Sequence, residues 1–269
     1  MKNNYKILIL SDLKSGTKSI LKSSISLAKM IHGDLHFFHV KGAMDIVEKD
    51  NQLSAIRSIN SEYKTINKQI QNLITPISEE YGVSINTKFS FGNVKSEIEK
   101  YIKEIQPDII VLGKKKTNAF NFIGNHITDF ILKTHAGIIM IASKNNPLAP
   151  NKEISLGTLN DLELSKNLVF ADNLIENAKK PLKSFKIVKN ANALNETQTS
   201  TNGKTIEYLF EKNDNSMKNI SNYISKNKIN LLCVNRGRKK DKNNGDIKDI
   251  IGKLDVSLLI SSEENYPVQ

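Results

Sequence analysis

The sequence predicts an α/β protein made of two successive copies of one doubly wound unit, and three observations carry that expectation. Short apolar runs recur along the chain, stretches of helical periodicity separate them, and the second half repeats the first in weaker form. Strands alternating with helices at this spacing favour right-handed crossovers, and hence a parallel sheet with helices on both faces.

In the first unit, residues 5–10 (Tyr-Lys-Ile-Leu-Ile-Leu) form a compact apolar run, the pattern of a strand buried on both faces. Turn residues occupy 11–16. Ile20, Leu21, Ser24, Ile25, Leu27, Ala28 and Ile31 then recur at helical spacing as far as Gly33. Residues 35–40 (Leu-His-Phe-Phe-His-Val) read as a second strand. A long helix over about 44–81 is marked by Ile56, Ile59, Tyr63, Ile66, Ile70, Leu73 and Ile77. Residues 84–91 alternate like a strand, 94–105 like a helix, and 108–113 (Asp-Ile-Ile-Val-Leu-Gly) are another buried strand. A loop over 114–124 precedes a helix over 125–134, with His126, Asp129 and Lys133 on its polar side. A fifth strand covers 137–142.

The Asn/Pro-rich stretch 143–151 reads as a linker, giving units of residues 1–145 and 152–263. Residues 101–113 align with 223–235 at an offset of 122, and Asp129 to Lys133 aligns with Asp249 to Lys253. Each pair precedes a last strand, 138–141 or 257–260. Val40 aligns with Val188, and 85–91 with 206–212. The copy's first strand then falls at 153–159 and its first helix at about 161–179. Only fourteen mostly polar residues, 190–203, stand where the first unit has its long helix, so the second unit is reduced to a loop or strand extension there.

Composition narrows the function classes. The 39 basic and 28 acidic side chains give +11, but the cations are 36 Lys and only 3 Arg, the residue suited to bidentate base readout. Residues 1–150 hold 20 basic and 13 acidic side chains and residues 151–269 hold 19 and 15, so neither half is a concentrated basic module. No specific nucleic-acid partner is expected, only weak, salt-sensitive polyanion binding. The apolar runs fall far short of the roughly 20 residues that cross a bilayer, and the N-terminus lacks a secretory apolar region, which predicts a cytoplasmic chain with no membrane partner. Cys233 is the only cysteine and lies in an apolar strand, the setting of a buried inert thiol.

At this point the residues resemble the universal stress protein family in its tandem, two-domain form. The resemblance rests on a strand ending at Asp12, His39-Val40 closing strand two, and residues 108–113 with the glycine-bearing loop and the helix–strand pair after it. It implies two Rossmann-like (adenine nucleotide alpha hydrolase-like) domains, each a mostly parallel five-stranded sheet of order 3-2-1-4-5. It also implies pairing of such domains through their last strands, so that one chain imitates a dimer; further association of whole chains stays open. Many members bind ATP through an Asp after strand one, backbone atoms after strand two, and a Gly-x-x-Gly-x9-Gly-(Ser/Thr) loop after strand four. Others bind no nucleotide.

Carried onto this chain, that pattern selects Ser11, Asp12, Val40, Gly113, Lys116, Gly124 and Asn125 as cofactor-binding candidates. Glycines let backbone amides approach phosphates, and a helix N-terminus offers them partial positive charge. Here the second glycine is Lys116, and Gly124 arrives two residues early. Loss of two phosphate hydrogen bonds at about 1–1.5 kcal/mol each lowers affinity roughly a hundredfold, unless Lys114, Lys115 and Lys116 compensate with charge. ATP is therefore the one cofactor open to the first unit. In the second, the position of Asp12 falls at Leu159 or Asn160, Gly113 becomes Asn235, and no nucleotide is expected.

Plain structural roles compete with each candidate. Asp12 serves equally as a cap for the helix starting near 15–17. His36 and His39 point to opposite faces of a strand and cannot share a metal, and His126 and His135 read as surface residues. With no catalytic constellation, the sequence predicts a stress-associated protein that acts by sensing a ligand, an adenine nucleotide, or by binding a protein partner, without turnover. The alternative is a slow ATP hydrolase or phosphotransferase, for which only Asp12 and hydroxyls such as Ser11 offer themselves.

Overall fold

Ile7, Leu8 and Ile9 are wholly buried, and this is why residues 5–10 read as a central strand: with helices on both faces, each side chain gains about 1.5–3 kcal/mol on burial. In the computed structural model of the chain, residues 4–42, 52–114, 126–160, 164, 168–188, 205–236 and 247–262 are described. The first half runs β1 (Tyr5–Ser11), α1 (Thr17–Ile31), β2 (Gly33–Gly42), α2 (Gln52–Tyr81), β3 (Ile85–Gly92), α3 (Val94–Ile105), β4 (Ile109–Gly113), α4 (His126–Thr134), β5 (Ile138–Ala142). The second runs β6 (Leu156–Leu159), α5 (Ala171–Glu176), β7 (Leu182–Val188), β8 (Thr205–Glu211), α6 (Ser216–Lys226), β9 (Leu231–Val234), α7 (Ile247–Lys253), β10 (Ser257–Ile260).

All ten strands form one sheet of order β3-β2-β1-β4-β5-β10-β9-β6-β7-β8. Each half keeps the order 3-2-1-4-5 and is parallel throughout; the seam is the antiparallel pair β5–β10. One core lies on each side of the sheet. On the first side α1, α2 and the segment around Phe170 and Leu174 pack together, and on the other α3, α4, α6 and α7. Both cores cross the seam.

Matching hydrogen bonds fix how the two halves correspond. Lys6 donates its N–H to Asp108 Oδ2 at 2.7 Å, and Asp108 N–H returns to Lys6 O at 3.0 Å. In the second half Ser155 N–H reaches Asn230 Oδ1 at 2.8 Å, and Asn230 N–H reaches Ser155 O at 3.2 Å. Lys6 therefore matches Ser155, and Asp108 matches Asn230. By strand register Leu10 then matches Leu159 and Ser11 matches Asn160. The counterpart of Asp12 is Asp161, outside the described residues, and not Leu159 or Asn160 as the sequence alignment places it. The same register pairs Phe38 with Phe185, so Val40 matches Ile187 and not Val188. Phe38 packs on Tyr101 at 4.3 Å and Phe185 on Tyr223 at 5.6 Å, the same contact in both halves. A one-residue slip would send every side chain of that strand to the wrong face.

The second half departs from its predicted elements in two places. Its first strand starts at Leu156 and not 153, because Ile154 bridges to Ala178 outside the ladder. The single first helix predicted over 161–179 is interrupted: Leu164 is helical, Leu168 to Phe170 turn, and a separate helix covers Ala171–Glu176. The stretch 190–203 lies outside the described residues.

Candidate functional site

Strand β1 lies between β2 and β4, and the chain crosses over in opposite directions from it, so its carboxyl end is the switch point where doubly wound sheets take ligands. Ser11 is the last residue of β1, and continuing the β1–β4 register places it opposite Gly113. The strand β2 runs on to Gly42, so Val40 lies just beyond the end of its β1 neighbour. Ser11, Asp12, Val40 and Gly113 thus gather at one edge of the first half. Lys116, Gly124 and Asn125 lie outside the described residues.

The turn after β1 is held by its own side chains. Thr17 is buried, and its hydroxyl donates to Lys14 O at 2.8 Å. Its oxygen is 2.9 Å from Ser11 Oγ, so Ser11 supplies the proton there, and Ser11 Oγ accepts from Leu13 N–H at 3.1 Å. The backbone turns at Leu13, whose φ of 57° is left-handed. Asp12 is exposed, and its Oδ1 accepts from Lys14 N–H at 3.1 Å, closing an Asx turn. It does not cap α1: the residue before that helix is Gly16, with no side-chain cap. The end of β2 is fastened to the same turn by His39, buried, whose Nδ1 donates to Ser11 O at 2.9 Å. Burial holds the His39 ring below the usual imidazole range, with the Ser11 carbonyl and Asp12 opposing, so the ring is neutral near pH 7.

Two residues that the sequence assigned to phosphate have other work. A Cβ on Gly113 would stand 2.5 Å from Ile20 Cδ1 and 3.0 Å from Cγ1, so the end of the Ile20 side chain packs on this glycine and would have to turn aside for a larger residue. The Lys114 ammonium, offered as a compensating charge, donates to Leu254 O in the second half. His135, expected at the surface, is buried. Burial, then the Arg236 guanidinium beside it, push its pKa down to about 4. Periodicity could not have found this, because Arg236 arrives from 101 residues away.

At the equivalent edge of the second half, Leu159, Asn160, Val234, Asn235 and Ile250 line a small recess. Asn160 and Asn235 stand where the first half has Ser11 and Gly113. Burial lifts the nearby Cys233 thiol to about 12, so it is an inert core group. Among the described residues no three His, Cys, Asp or Glu side chains gather as metal ligands, and no helix is long and apolar enough to cross a membrane.

The family model described as "Universal stress protein family" matches residues 4–141. The chain belongs to this family. A universal stress protein from Archaeoglobus fulgidus DSM 4304 has a similar solved structure, with a TM-score of 0.66 at 12% identity, covering 97% of each chain. A functionally unknown protein from Pseudomonas aeruginosa PAO1 is similar with a TM-score of 0.56 at 12% identity, covering 96% of this chain and 92% of its own. At such identity these likenesses concern the fold, which they share along the whole length of this universal stress protein. No curated protein matches the sequence.

Proposed function

We propose that this universal stress protein is a non-catalytic, cytoplasmic stress-response protein whose first half binds an adenine nucleotide weakly at the carboxyl ends of β1, β2 and β4, while the second half binds none. The observation that carries the reading is Asp12, exposed at the switch point on a turn that Ser11, Thr17 and His39 hold rigid. A fixed, solvent-facing carboxylate can accept from an adenine amino group or a ribose hydroxyl without reorganising the backbone. Weakness follows from Lys116 in place of the second glycine and from Lys114, whose ammonium is committed to the seam, which leaves the phosphates fewer partners than a full glycine loop gives.

Binding without turnover is favoured by Ser11. Its proton goes to Thr17 and one lone pair to Leu13 N–H, so its hydroxyl is a structural link and not a poised phosphoryl acceptor. The test is a thermal melt of the full chain with ATP or AMP at millimolar concentration, with and without magnesium. A ligand at 100 times its dissociation constant adds about 2.7 kcal/mol, a shift of several degrees. Asp12→Ala is expected to abolish that shift while leaving the unliganded melting temperature within about 2 °C, as for a surface substitution worth about 0.5 kcal/mol. An unshifted melt with every nucleotide would make the chain a protein-binding scaffold instead, and steady phosphate release from ATP would make it an enzyme.

A further inference from the structure

The residue that follows β4 is Lys114, and its counterpart at the same offset of 122 is Arg236. Each starts the loop that leads to the last helix of its half, and each reaches into the other half. Lys114 Nζ donates to the carbonyl of Leu254, the residue after α7. Arg236 Nη1 donates to the carbonyl of His135, the residue after α4, at 2.7 Å, and its Nη2 to Gly137 O at 3.0 Å. By the registers of β4–β5 and β9–β10, Ile138 matches Ser257, so His135 matches Leu254. The two contacts are one contact seen twice across a pseudo-two-fold axis.

Chemistry explains why cations serve here. The last carbonyls of a helix lack intrahelical donors and carry partial negative charge, which an ammonium or guanidinium satisfies. Lys114 is half-buried, and Asp255 faces it from the same corner, itself accepting from Ser143 Oγ at 3.1 Å and Asn145 Nδ2 at 2.8 Å. Arg236 N–H is also tied to Ser261 Oγ at 3.3 Å. Neither cation stands in solvent awaiting an anion.

We propose that Lys114 and Arg236 form a reciprocal clamp, in which each half of the sheet fixes the root of the other half's loop after its fourth strand. The clamp ties the chain just after β4 to the second half and the chain just after β9 to the first; what it means for a ligand rests on the function proposed above. It also withdraws Lys114 from the ligand.

Hydrogen exchange read by mass spectrometry on the full chain tests the clamp. Lys114→Met is expected to raise exchange about tenfold across 247–256 and leave 126–138 unchanged, and Arg236→Met is expected to do the reverse. Lys114→Arg, which keeps a donor, should preserve wild-type protection. Loss of protection confined to the substituted residue's own half, crossing in one variant only, or no change in either, would overturn the proposal. If a methionine variant does not fold, Arg236→Lys decides: one retained donor predicts partial loss of protection in 126–138, and unchanged protection there refutes the clamp. ATP affinity is expected to agree within twofold between wild type and Lys114→Met. A tenfold loss would return Lys114 to the ligand and refute its withdrawal. Absence of ATP binding by the wild type would sink the functional reading and leave the exchange result to judge the clamp alone.

Discussion

His135 shows how a single side chain couples this fold to pH. Its ring is packed so closely against Gly137 that a Cβ there would stand 2.6 Å from Nε2, and Arg236 lies on the carbonyl of the same residue. The folded pKa of about 4 lies below the ordinary 6.5. Above pH 6.5 the ring is neutral in both folded and unfolded chains and costs nothing. As pH falls from 6.5 towards 4 the unfolded chain takes the proton first, and stability declines by about 1.4 kcal/mol per pH unit, of order 3 kcal/mol in all. His39 and His36, also lowered chiefly by burial, add to the decline with the same sign. Urea midpoints between pH 7 and 4.5 should therefore fall less steeply in His135→Gln than in the wild type; parallel profiles would show that the ring protonates freely in the folded state. None of this was legible in the sequence. A histidine just past a short helix reads as exposed until a guanidinium 101 residues away covers it. Gly113 is the opposite case: the residue was legible as special, but for a phosphate, whereas what the structure sets against it is the end of the Ile20 side chain.

Among the elements, those buried on both faces were the easiest to read. The apolar runs of β1, β4 and β5 match their strands to within a residue, and α3 matches at both ends because its boundaries are chemical. Asn93 accepts from Ser96 N–H at 3.2 Å as its N-cap, and Gln106 turns left-handed with a φ of 47° after it. The second half was harder to read for a physical reason. In the first half α2 covers the face of β2 and β3 that presents Phe37, Ile85, Phe89 and Phe91. Their counterparts by register are Ser184, Thr205, Leu209 and Glu211, so 85–91 matches 205–211 and not 206–212 as the sequence alignment has it, and Lys186 pairs with Glu207 at 2.6 Å on the same face. On that face the sheet of the second half is polar, so β7 and β8 alternate, with Phe185, Ile187, Tyr208 and Phe210 on the other face, and lack the continuous apolar runs that announce β1 and β4. Within α2 itself burial divides the helix. Ile66, Ile70, Ile74 and Ile77 are core, whereas Ile59 is 39% and Tyr63 53% exposed. Ile70→Ala is expected to cost about 2–5 kcal/mol and Ile59→Lys less than about 0.5 kcal/mol in urea unfolding. Equal effects would mean that the first turns of α2 are packed as tightly as the last.

For the molecule as a whole, the seam decides how it behaves. Across it Met140 pairs with Leu259, Ile139 with Ile260 and Ile141 with Leu258. Because Ile138 matches Ser257, Met140 and Leu259 are equivalents, and the flanking pairs exchange partners as a two-fold axis requires. The packing behind the strands follows suit. Tyr5 meets Phe170 edge-on at 5.4 Å, and Leu148 is wholly buried between the halves, its N–H donating to Ser23 Oγ at 3.0 Å. Cutting the chain after residue 145 would bare the edge of β5 with its apolar row, an arrangement prone to pair with any matching edge. The nearest matching edge belongs to a second copy of the same fragment. Residues 1–145 alone are therefore expected to form a dimer with Met140 facing Met140 of the other copy, and Lys114 of each copy donating to His135 O of the other, as Arg236 does in the full chain. Light scattering should give twice the fragment mass, and Lys114→Met should weaken the association. A fragment that stays monomeric and folded would show that β5 needs no partner, and that the seam owes its geometry to the linker and not to the strands.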